Sequence, residues 1–180
     1  KGSEHMIRDI NNIKDDICSA KRIIKEKLYS DPDIIEILHN PNLDPSEPDS
    51  YLDVNIFDYI RVPGATTEVK NFICFDIRQD DVLATNSYMK QQVYIFSVFS
   101  HEDDIKTPYG ISRHDLLSYL IRDIFSYSNI FGTQLVEISN VPGILDSYYS
   151  NRTIKFEAIT PNSPNKAVLT NLHEFKYKRT

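Results

Sequence analysis

The sequence element closest to catalytic chemistry is the triplet Glu68-Val69-Lys70, with the acids Asp53 and Asp58 upstream. An acid on one strand and a Glu-x-Lys on the next can hold a divalent ion, while the lysine stabilises developing negative charge. That arrangement would suit a metal-dependent nuclease using Asp58, Glu68 and Lys70. The same alternation of acid and lysine is typical of any strand with one solvated face. In an acidic chain the solvated strand is the favoured interpretation, and the nuclease is the alternative.

The histidines and glycines do not add a second catalytic candidate. His39, His101, His114 and His173 show no zinc-like spacing with each other or with the cysteines. His101 is followed by Glu102-Asp103-Asp104, which could attract a cation, but acids at a strand end usually face water. With five glycines and no phosphate-binding motif, a phosphate-cradling loop is not expected. We predict no catalytic residues, no cofactor and no metal.

Tyrosine points instead towards protein contacts. The chain has eleven tyrosines and no tryptophan, and tyrosine is favoured at interfaces because it combines apolar area with a polar tip. Ordinary packing would account for about half of them. A long polar stretch between two strand candidates, residues 79–91, is a second candidate for contact. The predicted interface residues are Gln79, Asp80, Asp81, Tyr88, Lys90, Tyr148 and Tyr149.

The charge and composition of the chain indicate which classes of partner it can bind and in which cellular compartment it functions. A net charge of −6 argues against broad nucleic-acid binding, which needs a clustered basic surface. Lys176, Lys178 and Arg179 form the one basic cluster, interpreted as a solvated tail. Cys18 and Cys74 are expected to be buried thiols in a reducing compartment. No apolar run approaches the roughly 18 residues of a membrane span, so we predict a cytoplasmic protein without membrane contact.

Lys1–His5 is interpreted as a leftover of cloning, and residues 6–180 as a single domain. Apolar residues at helical spacing predict a helix over 7–29. Ser30-Asp31-Pro32-Asp33 resembles a capping box and predicts a second helix ending near His39. The acidic, proline-rich residues 40–50 are expected to form an exposed loop.

The rest of the chain alternates β-rich segments with one helix. Strands are expected at 54–62, 70–78, 92–100, 133–139, 153–160 and 171–177, with Pro142-Gly143 as a strand breaker. Residues 79–91 are expected to be a mobile connection between the two strongest strands. Ser112 should cap a helix over 113–127, with Gly132 past its end. The predicted fold is α+β, a mixed, mainly antiparallel twisted sheet with helices packed on one face.

The order SDPDIIEILHNP, FDYIRVP, NFICFDIR, QVYIFSVFSH and ISRHDLLSYLIRDIF resembles bacteriophage tail-terminator and tail-completion (neck) proteins over roughly residues 6–130. The resemblance implies a small module that assembles into a ring, possibly hexameric, closing the tail tube. Its partners would be the tail tube, the connector and further copies of itself. It implies a virion protein assembled in the host cytoplasm, with no catalytic residues and no sequence-specific contact with nucleic acid. An acidic lumen would let DNA slide without sticking. A host-directed binding module is a third possibility.

Overall fold

The computed structural model describes residues 16–61, 70–83, 85–144 and 148–162, which form an α+β fold. The helices are α1 (Asp16–Tyr29), α2 (Pro32–Leu38) and α3 (Arg113–Phe125), and short 3-10 turns cover Pro48–Tyr51 and Glu102–Asp104. The strands are β1 (Ile56–Phe57), β2 (Asn71–Leu83), β3 (Asn86–His101), β4 (Val136–Ile144) and β5 (Tyr149–Pro161). The predicted fold class is therefore confirmed.

The strands form one sheet in the order β1-β2-β3-β5-β4. Among the described strands, β1 alone runs parallel to its neighbour, β2, and the other pairs are antiparallel. Phe96 lies opposite Phe75 on one side and Ile154 on the other, so β3 is the central strand that its unbroken apolar run predicted.

The helices pack on one face of this sheet, here called the helix face, and form the main core. Ile24 and Leu28 of α1 and Leu117 of α3 are fully buried there. The rings of Phe96 and Phe125 lie 4.9 Å apart between their centroids, which ties α3 to the central strand. Each such buried side chain contributes about 1.5–3 kcal/mol relative to an exposed one.

The opposite face carries a smaller apolar cluster. It consists of Phe57, Phe72, Cys74, Phe99 and Tyr149. Burial raises the pKa of the Cys74 thiol to about 11, so the group is neutral at physiological pH. Cys18 was also expected to be buried, but it is exposed on α1.

Residues 79–91 are not a loop, which corrects the sequence-based prediction. β2 continues to Leu83 and β3 begins at Asn86, so the polar stretch forms the outer half of a long hairpin. Lys90 lies opposite Val82 on β2 and Thr160 on β5. The backbone ladder thus continues past the apolar core, where strand side chains no longer need to be hydrophobic.

Several predicted boundaries also shift. The cap of α2 is Asp31, not Ser30: its carboxylate accepts the backbone N–H groups of Asp33 and Ile34. Ser112 occupies the N-cap position of α3, but its side chain makes no capping hydrogen bond to the helix backbone, and the helix ends at Phe125. Gly132, with φ of 83°, lies in a later turn.

The β segment expected near the start of the sheet differs as well, and two predicted terminal elements are not described by the structure. The extended segment expected at 54–62 contains only the two-residue strand β1. The part of the first helix over 7–15 and the strand over 171–177 lie outside the described residues. Within the ranges given above, no helix is both long and apolar enough to cross a bilayer.

Candidate interaction surface

The strand β4, at one edge of the sheet, exposes several large apolar side chains to solvent. Val136 is 39% exposed, Ile138 46%, Val141 56% and Ile144 82%. We call these four residues the β4 edge. Because side chains alternate along a strand, a row of apolar residues on both sides of an outer strand is unusual. Long apolar edge strands are templates for pairing with another chain.

The backbone of β4 is available for such pairing. Among the described strands β4 pairs only with β5, so its other side carries no described partner. A register shift between Glu137 and Ser139 bends the strand, and Pro142 lacks a backbone donor. The register shift interrupts the ladder that a partner strand could match, and Pro142 removes one backbone donor from it.

Pro142 and Gly143 lie inside β4 and do not break it, contrary to the prediction. Proline is tolerated there because an edge strand needs only one side of its backbone for the ladder. Gly143 lies opposite Asn151, and a Cβ at position 143 would collide with the Asn151 side-chain oxygen. Both residues fit an outer strand and would be unfavourable in a central one.

Side-chain contacts hold β4 firmly against the rest of the fold. Arg122 of α3 forms an ion pair with Glu137 at 2.6 Å. Arg152 of β5 donates to Asn140 at 3.0 Å and to Asp115 of α3 at 2.6 Å. These contacts attach the edge to α3 and β5 before any partner binds, which reduces the ordering entropy that a partner must overcome.

The predicted interface residues do not form one patch. Tyr88, 82% exposed, lies near the hairpin tip, whereas the ring of Tyr148 stacks on His101 at the far end of β3. Thirteen strand residues separate Tyr88 from His101, or about 43 Å along the strand. Gln79 is exposed; Asp80 and Asp81 belong to β2, and their side chains lie outside the described part.

Lys90 and Tyr149, also in that predicted set, are buried in the chain itself, with 7% and 2% exposure. Lys90 donates to Asp16 at 2.6 Å and to Gln79 at 3.0 Å. Gln92 donates to the same Asp16 carboxylate at 2.8 Å. This network anchors the first turn of α1 to the hairpin, so these contacts serve the fold. Whether the exposed members of the set touch a partner remains a prediction.

The nuclease candidates occupy ordinary ion pairs where they are described. Asp58 pairs with Lys25 at 2.7 Å, and Lys70 pairs with Asp103 at 3.3 Å. Glu68 lies outside the described residues. Within the described ranges no three His, Cys, Asp or Glu side chains are grouped as a metal site.

The structure contains a polar cluster around Asp104 that the sequence did not indicate. Asp104, expected to face water, accepts hydrogen bonds from His39 at 3.0 Å, Asn71 at 2.6 Å and Arg113 at 3.0 Å. Burial alone would raise the pKa of Asp104, but these donors and the Arg113 charge together lower it. Arg113 also donates to the backbone oxygen of Ile37 at 2.7 Å.

This cluster joins α2, β2 and α3 beside a polar cavity of about 170 Å³ lined by His39, Asn40, Lys70 and Asp103 among others. Nothing in the sequence distinguished Arg113 from a solvated residue of a helix's first turn. Arg113 is buried because α2 packs over it, and the α2 residue that accepts its hydrogen bond, Ile37, is 76 residues away in the sequence.

A protein-family model described as YomW matches residues 31–163, from the cap of α2 to just past the end of β5. YomW is a phage-derived gene name, which indicates a phage-associated protein. No curated protein matches the chain.

Proposed function

Because the chain belongs to the YomW family, with its phage-derived name, we propose that it is a structural protein of the phage head–tail junction. It would act by docking to other subunits and not by catalysis. The observation that carries this proposal is the β4 edge, an outer strand with four exposed apolar residues. The resemblance of residues 6–130 to neck proteins supports the same location.

Pairing at the β4 edge favours a closed assembly. A strand edge that binds a different surface on the next copy is a heterologous contact, which either closes into a ring or grows without limit. In a closed ring, possibly hexameric, the β4 edge of each subunit contacts the next subunit, so that no β4 edge is left exposed. The net charge of −6 would suit a lumen through which DNA passes without sticking.

The strength of this contact can be bounded from the exposed side chains. Burying each half-exposed residue of the β4 edge contributes about 1 kcal/mol, or about 4 kcal/mol for all four. Before the entropy cost of association is subtracted, that corresponds to a Kd of about 1 mM for an isolated pair, so the actual contact is weaker. The free chain should therefore be a monomer or a weak oligomer, and the ring should require further contacts or a neighbouring tail component.

Self-association can be tested by adding charge to the edge. Val141→Lys should hold the chain monomeric at concentrations where the unmodified chain gains mass in sedimentation equilibrium. Ile60→Lys is the matched control, since Ile60 is 48% exposed but lies after β1, at the other end of the strand order. Equal association by both variants would show that the β4 edge is not part of the interface.

Location in the particle needs a separate experiment. Virions of the encoding phage can be purified, disassembled in steps and analysed by mass spectrometry. The chain should be present in a fixed, low copy number and remain with the neck when heads and tails separate. Its absence from purified virions would overturn the head–tail proposal, whatever the oligomeric state.

A further inference from the structure

A groove between α2 and α3 is a second candidate docking site, distinct from the β4 edge. Its volume is about 270 Å³, and Ile37, Leu116 and Leu120 provide its apolar lining. Leu116 and Leu120 are four residues apart on α3, so they share one helix face. Asp33 and Glu36 of α2 add two acids. None of the described residues that line the groove is basic.

Tyr109 completes one wall and keeps the acidic side in place. Its hydroxyl donates to Glu36 at 2.9 Å, while 60% of the residue remains exposed. The hydrogen bond to this carboxylate raises the pKa of Tyr109, so the hydroxyl remains a donor. The groove thus offers an apolar floor and negative charge, which suits a segment with aromatic and basic side chains.

The chain itself contains such a segment. Residues 171–180 read NLHEFKYKRT, in which Phe175 and Tyr177 alternate with Lys176 and Lys178, followed by Arg179. Residues 163–180 carry four basic side chains and one acidic one, in a chain with a net charge of −6. Its positive charge is complementary to that of the groove.

The groove is far from the point where this segment leaves the fold. Asn162 bonds to the backbone of Ser87 and Tyr88 at the hairpin end of the sheet. Asp115, next to Leu116, bonds Arg152, whose strand partner is Val98. Val98 lies ten strand residues from Tyr88, about 33 Å along the strand.

To reach the groove of its own molecule, the segment 171–180 would also have to pass around the helical layer. This detour adds about 10 Å or more to the distance along the strand. The thirteen residues from 162 to 175 span at most about 43–47 Å when fully extended. Binding within one molecule would therefore require an almost fully stretched connection. A neighbouring copy has no such constraint.

We propose that the α2–α3 groove binds residues 171–180 of a second copy of this chain. Phe175 and Tyr177 fill the apolar floor, and the basic side chains face Asp33 and Glu36. The inference rests on the proposed self-association and adds a second contact to the weak β4 edge. Such a contact links neighbouring subunits through a segment that wraps outside the folded domain.

The first test is direct binding. A fluorescein-labelled peptide of residues 171–180 is titrated into the full-length chain carrying K176E, K178E and R179E. These substitutions reverse the charge of the chain's own residues 171–180, so that they do not compete with the peptide. Fluorescence polarisation should show saturable binding, weakened at least tenfold by Glu36→Lys and by 0.5 M salt. Glu47→Lys is the control, because it makes the same charge change at an exposed acid of the 40–50 loop. No binding up to 1 mM peptide, or equal loss in both variants, overturns the proposal.

The second test asks which copy supplies the segment. Unlabelled and 15N-labelled unmodified chains are mixed at high concentration and treated with a carbodiimide, which joins lysines to nearby carboxylates. Mass spectrometry should find Lys176 or Lys178 joined to Glu36 of the other isotope. Cross-links only within one isotope would overturn the second-copy assignment. Failure of the peptide to bind while Val141→Lys still abolishes association would reject this inference and leave the proposed function standing.

Discussion

Replacing Asp104 with alanine should destabilise the protein strongly, because this carboxylate joins three parts of the fold. It accepts from His39, Asn71 and Arg113, and its side chain is only 17% exposed. Removing one partner of a buried ion pair costs about 3–5 kcal/mol. Arg113 would keep two backbone acceptors, Ile37 and residue 104 itself, so the lower end applies, about 3 kcal/mol.

The assay is urea unfolding followed by circular dichroism. With a slope of about 2 kcal/mol per molar urea, the midpoint for Asp104→Ala should fall by about 1.5 M. Asp103→Ala is the matched control: this neighbouring acid is 60% exposed and pairs with Lys70 at 3.3 Å. Such surface pairs contribute about 0.5 kcal/mol or less. Similar midpoint shifts in the two variants would refute the assignment of Asp104 as a buried structural anchor.

Four further outcomes are expected. Burial opposes ionisation of Asp104 and Asp115, but hydrogen bonds and nearby positive charge prevail and lower the pKa of each below 3.8. Their stabilisation is therefore present above the ordinary carboxyl pKa and is lost as pH falls through the depressed values, so the urea midpoint should drop between about pH 5 and pH 3. Ser112→Ala removes the hydrogen bond from the hydroxyl to the Asp115 carboxylate and should lower stability by about 1 kcal/mol; an unchanged midpoint would show that this contact is not formed. Purified protein should not cleave plasmid DNA with magnesium or manganese, and cleavage abolished by Glu68→Ala would establish the nuclease alternative instead. The amide of Lys90, which is paired with both β2 and β5, should exchange slowly in the free chain, whereas rapid exchange would restore the mobile connection predicted from the sequence.

The sequence by itself determined the elements whose signal is local. The spacing of Leu117, Ile121 and Phe125 was sufficient to predict α3, because a helix repeats every 3.6 residues whatever surrounds it. The unbroken apolar run around Phe96 was sufficient to identify a central strand, since only a strand buried on both faces tolerates it. From these patterns the fold class followed, with helices packed on one face of a sheet.

Tertiary structure alone decided where those elements end and which polar residues are buried. The polar residues around Lys90 became strand because β2 and β5 supply backbone partners there, and Asp16 supplies a counter-charge from 74 residues away. Pro142 could remain in a strand only because that strand lies at the edge of the sheet. Arg113 is buried because α2 and Asp104 converge on it. Each of these outcomes depends on hydrogen-bond partners distant in sequence, and local periodicity contains no information about such partners.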